Sequence, residues 1–287
     1  MANQKGGVGK TTTAISLAAA IAELGARVLV IDLDPQGNAS TGLGVRMDEG
    51  ETSTYGVLVD GEDVRTAIRD TEIPGLCLLP SSLDLAGAEV ELVPAFSREH
   101  RLDRALEGVL PEFDLVLVDC PPSLGLLTIN ALVAAHEVLV PIQCEYYALE
   151  GLSQLLRTVE LVADNLNRRL RVGGVVLTMY DARTNLAQQV VEEVRNYFGE
   201  LTYTTVIPRS VRLSEAPSFG QPISVYDPAS RGARAYQRLA REVAVRLALH
   251  VELPEESNVE RLLGGSFTAP EAGRGTPPAA STGEAEG

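Results

Sequence analysis

Residues 5–12 read Lys5-Gly6-Gly7-Val8-Gly9-Lys10-Thr11-Thr12. Three glycines this close let a loop turn its backbone N–H groups around an anion, where any Cβ would crowd it. Lys10 can set its ammonium on the β- and γ-phosphates of a nucleotide, and the Thr11 hydroxyl can ligate Mg²⁺. The apolar helical pattern that follows, at 11–24, points its positive end at the same anion. Such a phosphate-binding loop (P-loop) joins a buried strand to a helix, so it calls for an α/β architecture.

The rest of the chain agrees. Short β-branched and Leu-rich runs at 27–32, 76–79, 115–119, 137–141, 172–179 and 201–207 have the near-continuous apolar character of strands buried on both faces. Helical patterns at 11–24, 97–108, 125–135, 149–165, 187–197 and 231–250 lie between them. The alternation predicts a doubly wound, mostly parallel sheet with right-handed crossovers and helices on both faces, the P-loop NTPase fold. Ligands of such sheets lie at the carboxyl ends of the strands. Residues 1–250 read as one such domain. Residues 251–287, rich in Gly, Pro, Ala, Ser, Thr and Glu, read as a disordered acidic tail.

Composition narrows the classes. Trp is absent and there are 5 Phe, so a core must be built from Leu, Val, Ile and Ala. No run approaches the roughly 20 apolar residues that span a bilayer, and the loop begins too early for a signal peptide. Cys77, Cys120 and Cys144, at unrelated spacings, read as reduced, buried thiols of a cytoplasmic protein. The formal net charge of −15 argues against a long-range field for nucleic acid, so any DNA contact must be local and gated. Seven acidic and two basic residues in 251–287 carry part of that charge.

Two further motifs complete a catalytic edge. Asp32-Leu33-Asp34-Pro35 ends the second strand signal with two carboxylates two residues apart, Asp32 reading as a support near Mg²⁺. Leu115-Val116-Leu117-Val118-Asp119 is an apolar strand ending in a carboxylate, the Walker B pattern, in which Asp119 holds Mg²⁺ through water or orients Thr11. His100, His136 and His250 lie away from these motifs, so no histidine base is expected.

The second lysine, Lys5, gives the loop a more specific character. KGGVGKTT resembles the deviant P-loop of the ParA/MinD ATPases, and two later segments, Thr178-Met179-Tyr180-Asp181 and the run from Val206 to Ser218, resemble the ParA/Soj partition proteins, so the likeness covers residues 1 to about 250. It implies that Lys5 reaches across a dimer interface to the partner's nucleotide. It implies that Lys5, Lys10 and Asp34 carry ATP hydrolysis, with Asp34 organising the attacking water, and that Gly6, Gly7, Val8, Gly9, Thr11 and Thr12 cradle ATP. Pro208 and Ser210 border the adenine, and Mg²⁺ sits at Thr11 and Asp119.

The same likeness implies an ATP-dependent homodimer that coats nucleoid DNA without sequence preference, through Arg183, Arg209, Arg212 and Arg234. A ParB-type partner bound at centromere-like sites stimulates hydrolysis and releases the dimer, moving chromosome origins in the cytoplasm. Arg168, Arg169 and Arg171 read as ordinary surface. The acidic terminus lacks the basic amphipathic helix with which MinD-type relatives bind membrane. A non-catalytic ATP-gated switch or scaffold, and a positioning ATPase for a protein cargo, are the alternatives. One expectation concerns the sheet itself. ParA relatives carry about eight apolar residues before the P-loop as a central strand, whereas only Met1-Ala2-Asn3-Gln4 stand here, as from a start placed too far downstream. The resemblance then predicts an empty slot at the centre of the sheet.

Overall fold

A computed structural model describes residues 1–252 apart from 49, 147, 148, 150 and 151. The expectation of a disordered tail falls on residues outside the described ones, save for the first two. In chain order the elements are α1 (Lys10–Ala22), β1 (Val28–Asp32), α2 (Asn38–Gly42), α3 (Val64–Ala67), β2 (Arg69–Asp70), β3 (Leu76–Leu79), α4 (Leu85–Glu91), α5 (Arg101–Leu106), β4 (Leu115–Asp119), α6 (Leu126–Ala134), β5 (Glu137–Gln143), α7 (Leu152–Asn165), β6 (Arg171–Tyr180), α8 (Asn185–Phe198), β7 (Thr202–Pro208), α9 (Val211–Glu215), α10 (Ile223–Tyr226) and α11 (Arg231–Arg246). All six sequence-read strands form.

The strands make two hydrogen-bonded sets, ordered β2-β3-β1-β4 and β5-β6-β7. Every pairing is parallel except that of β2 with β3. In β1, Val28 and Val30 join one core with α1 and α11, while Leu29 and Ile31 join another with α4, α5 and α6. That alternation is why the run reads as continuously apolar: each face of a parallel sheet is covered by helices. The second set has its own core, in which Leu152, Leu155, Val159 and Val162 of α7 and Val190, Val191 and Val194 of α8 pack over β5 and β6. Their three-and-four spacing puts each group on one helix face. α1 is instead buried almost all round, with Ile15, Leu17, Ala18, Ala19 and Ile21 at 1% exposure or less.

The strands part between β4 and β5. No strand of the described residues pairs with the free edge of either. Only the first three residues bridge the gap, at its carboxyl end. The Met1 ammonium donates to the Val118 carbonyl at 2.7 Å, and the Met1 carbonyl accepts from the Cys120 N–H at 3.3 Å. The Ala2 N–H donates to the Leu139 carbonyl at 3.2 Å, and Asn3 Nδ2 to the Pro141 carbonyl at 2.8 Å. Behind this bridge lies a largely apolar cavity of about 560 Å³, bordered by Leu115–Val118 of β4, Val138 and Leu139 of β5, Leu17, Tyr203 and Val243. Leu115, Val116, Leu117 and Val118 are therefore half-buried, although β1 and β3 beside them are fully buried.

Candidate nucleotide site

The P-loop runs from the Met1–Asn3 bridge into α1, and its backbone needs its glycines. Gly7 has φ +74° and Gly9, just before the helix, φ +87°. A side chain at either position would be strained in this left-handed region. Asn3 Oδ1 accepts the Lys5 N–H at 2.9 Å, and the Thr178 hydroxyl of β6 donates to the Val8 carbonyl at 2.8 Å, so the β5-β6-β7 set, to which Asn3 is also bonded through Pro141, holds the loop. Lys10 is buried and turns back on the loop, its ammonium 3.3 Å from the Lys5 carbonyl. Burial lowers its proton affinity, while Asp119, Cys120 and Asp34 favour the charged form. A buried ammonium short of partners is primed for an incoming polyphosphate.

Three carboxylates stand at the same edge, with different duties. Asp32 and Asp119 are register neighbours at the ends of β1 and β4. Asp32 is fully saturated: one oxygen accepts from the Ser40 N–H at 2.8 Å and the Ser40 hydroxyl at 2.7 Å, the other from the Asp34 N–H at 3.2 Å. Burial still pushes its carboxyl up to about 6. These bonds tie Asp32 to the turn into α2. Asp34, also buried, accepts the Gln36 N–H at 3.0 Å.

Asp119 differs. It is fully buried, and neither of its oxygens has a hydrogen-bond partner among the described residues. Burial, then the Asp32 carboxylate, push its proton affinity well above the usual carboxylate range, eased by the Thr11 hydroxyl, the N-terminal ammonium and Lys10. An unpartnered buried carboxylate facing a hydroxyl and an ammonium fits the chemistry of a divalent-cation site.

A cavity of about 420 Å³ opens on this group, walled by the P-loop from Gly7 to Thr12, Asp34, Asn38, Thr41, Met179, Pro217 and Ser218. It is smaller than the strand slot, so chemistry rather than size marks it as the site. Pro208 and Ser210 do not line it: Pro208 ends β7 beside Tyr180, and Ser210 precedes α9. The wall is made by Pro217 and Ser218, further along the same quoted segment, and by Met179 at φ +52°. No periodicity in the sequence points to Asn38, Ser40 or Thr41, which enter through the turn after Asp34. The four arginines read as DNA contacts are all exposed: Arg183 after β6, Arg209 after β7, Arg212 in α9 and Arg234 in α11.

A glycine loop between the sheet and α1, with a buried lysine and a Walker B carboxylate at the strand ends, defines a P-loop NTPase. A family model described as an AAA domain matches residues 1–172. The sporulation initiation inhibitor protein Soj of Bacillus subtilis is 60% identical over 242 residues, which are 84% of this chain and 96% of that protein. The chromosome partitioning protein ParA of Myxococcus xanthus is 52% identical over 246 residues, 86% of this chain and 87% of that one. Among solved structures, a Mycobacterium smegmatis protein described as cobyrinic acid a,c-diamide synthase, with bound ATP analogue and magnesium, is 40% identical with a TM-score of 0.76, over 88% of this chain and 96% of that one. The chain belongs to the ParA/Soj family of chromosome-partitioning ATPases.

Proposed function

We propose that this chain is an ATP-dependent, dimerising ATPase that binds DNA without sequence preference and partitions chromosome origins with a ParB-type partner. The observation that carries the catalytic part is Asp119: a buried carboxylate with both oxygens unpartnered, close to Thr11 and Lys10, which themselves line the P-loop cavity. Its ligands are ATP and Mg²⁺, with Thr11 and Asp119 as the residues to hold the ion. Bound there, Mg²⁺ neutralises charge on the phosphate oxygens. Lys10 takes the β- and γ-phosphates in exchange for the Lys5 carbonyl, the N–H groups of Gly6–Thr12 surround them, and Asp34 positions the attacking water. In this reading the base extends beyond that cavity, where Pro208 and Ser210 border it.

Dimerisation is supported by Lys5. It is half-exposed at the rim of the loop, and its side chain makes no ion pair among the described residues. That leaves it able to reach a second copy's nucleotide. Arg183, Arg209, Arg212 and Arg234 form the phosphate-binding surface of that dimer, in the nucleoid-associated cytoplasmic role of partition proteins. No helix of the described residues is long and apolar enough to cross a membrane.

Gel retardation on random-sequence DNA, with ATP, with ADP and without nucleotide, tests this reading. Binding with ATP only, weakening as salt rises, is the expected result. Equal binding in all three conditions, or none by folded protein that binds ATP, overturns it. Phosphate release that stays flat when a ParB-type partner is added would instead favour the ATP-gated switch.

A further inference from the structure

Three of the four arginines assigned to DNA are already occupied. Arg183 grips Asp181 with both arms of its guanidinium, Nη2 to Oδ2 at 2.7 Å and Nε to Oδ1 at 2.9 Å, while its own N–H also donates to Oδ1 at 3.1 Å. Arg209 Nη1 lies 3.6 Å from Glu145 Oε1. Arg212 is held from two sides, by Glu215 at 3.1 Å and Asp227 at 3.7 Å, and stands 6.0 Å from the centre of the Tyr226 ring. The Tyr226 hydroxyl tightens this group by donating to Glu215 at 3.2 Å. The side chains of Arg183, Arg209 and Arg212 are 57–86% exposed, so water and ions reach every pair. By contrast Arg231 and Arg234, in the first turn of α11, are exposed and form no ion pair among the described residues.

A carboxylate offers a guanidinium the same two-oxygen edge that a phosphate does. We propose that Asp181, Glu145, Glu215 and Asp227 are internal phosphate mimics, and that this face binds DNA by exchange, each clamped arginine leaving its carboxylate for a backbone phosphate. Arg231 and Arg234 are the standing contacts, and the three clamped arginines are the adjustable ones. The inference rests on the reading of this face as a DNA surface and adds what sets its strength. It also reconciles a chain of net charge −15 with a polyanionic partner: the free surface is nearly neutral, so it attracts little DNA until several exchanges happen together, as they can when two copies present two such faces.

Asp181 carries the tightest clamp, and the Arg183 guanidinium depresses its carboxyl to about 2. Exposed pairs are individually weak, so each clamp should cost the DNA complex only a few-fold. The test is a double-mutant cycle on DNA affinity at fixed salt with ATP, in full-length protein, using Asp181→Asn with Arg183→Gln, and Glu215→Gln with Arg212→Gln. Asp181→Asn and Glu215→Gln each tighten binding by about two- to five-fold, equally on unrelated DNA sequences. The gain disappears when the paired arginine is already replaced, because no clamp is left to release.

A gain that survives in the Asp181→Asn/Arg183→Gln double variant would assign the effect to general loss of negative charge and overturn the clamp. So would wild-type binding left unchanged by both carboxamides. Binding by the carboxamide variants but not by wild type supports the clamp in its strongest form. If neither binds while ATP binding is intact, the DNA reading and the clamp fall together.

Discussion

The nucleotide edge and the arginine face are both clusters of charged side chains, yet burial sets them apart. At the nucleotide edge Lys10, Asp32, Asp34 and Asp119 are 7% exposed or less. Charges there cannot be left to water, so each must have partners or stand ready for a ligand. Asp32 has its partners in Ser40 and the Asp34 N–H, whereas Asp119 has none. On the arginine face the pairs are open to solvent, individually cheap and exchangeable. The buried group defines one ligand chemistry; the exposed group sets an adjustable affinity.

The sharpest way to break this contrast is Lys10→Ala. It leaves the buried Asp119 without one of its two nearby cations and removes the ammonium for the phosphates. Nucleotide affinity should fall on the order of a thousandfold, read by a fluorescent ATP analogue. A loss of only a few-fold would make the site as permissive as the surface.

The next effect is on stability. Because burial raises the Asp32 carboxyl from 3.8 to about 6, the folded chain holds that proton more tightly than the unfolded chain. Its contribution is therefore favourable below about pH 4, is lost as pH rises through about 6, and is flat beyond. The span is on the order of 3 kcal/mol. Denaturant unfolding of nucleotide-free protein at pH 4.5 and 7.5, wild type against Asp32→Asn, isolates it. The variant should lose less stability on going to pH 7.5.

On the exposed side, Arg212→Glu should weaken DNA binding roughly tenfold and lower its salt dependence, with ATP affinity unchanged. Normal DNA affinity would remove Arg212 from the surface. The smallest effect tests a buried neutral pair. Tyr236 bonds the Thr13 hydroxyl at 3.0 Å between α11 and α1. Tyr236→Phe should cost about 1 kcal/mol, well below the buried charges, with nucleotide binding little altered.

Much of the architecture was legible because its signals are local. The runs at 76–79 and 115–119 match β3 and β4 residue for residue, and the P-loop and Walker B carboxylate meet as read. α2, α3, α4, α9 and α10 were not read as helices. Each is seven residues or fewer, too short for the apolar period to repeat. The β5 signal ended two residues early, at a proline that a strand with this pairing accommodates. The hydrogen bonds of Asp32 were not legible for a different reason: its partner Ser40 lies eight residues on, and only the turn into α2 brings the two together.

By itself the sequence determined the phosphate-binding loop, the alternation of strands and helices, and the carboxylate at the end of β4. These are matters of residue type and spacing along a few turns of chain. The tertiary structure alone decided which strands flank the opening, β4 and β5, and that a cavity of about 560 Å³ lies there. It also decided that Asp32 is held by Ser40 and the Asp34 N–H, and that three arginines of the exposed face already hold carboxylates. Partner choice among charges depends on distances between segments remote in sequence and on how much water reaches them, and neither exists until the strands are side by side.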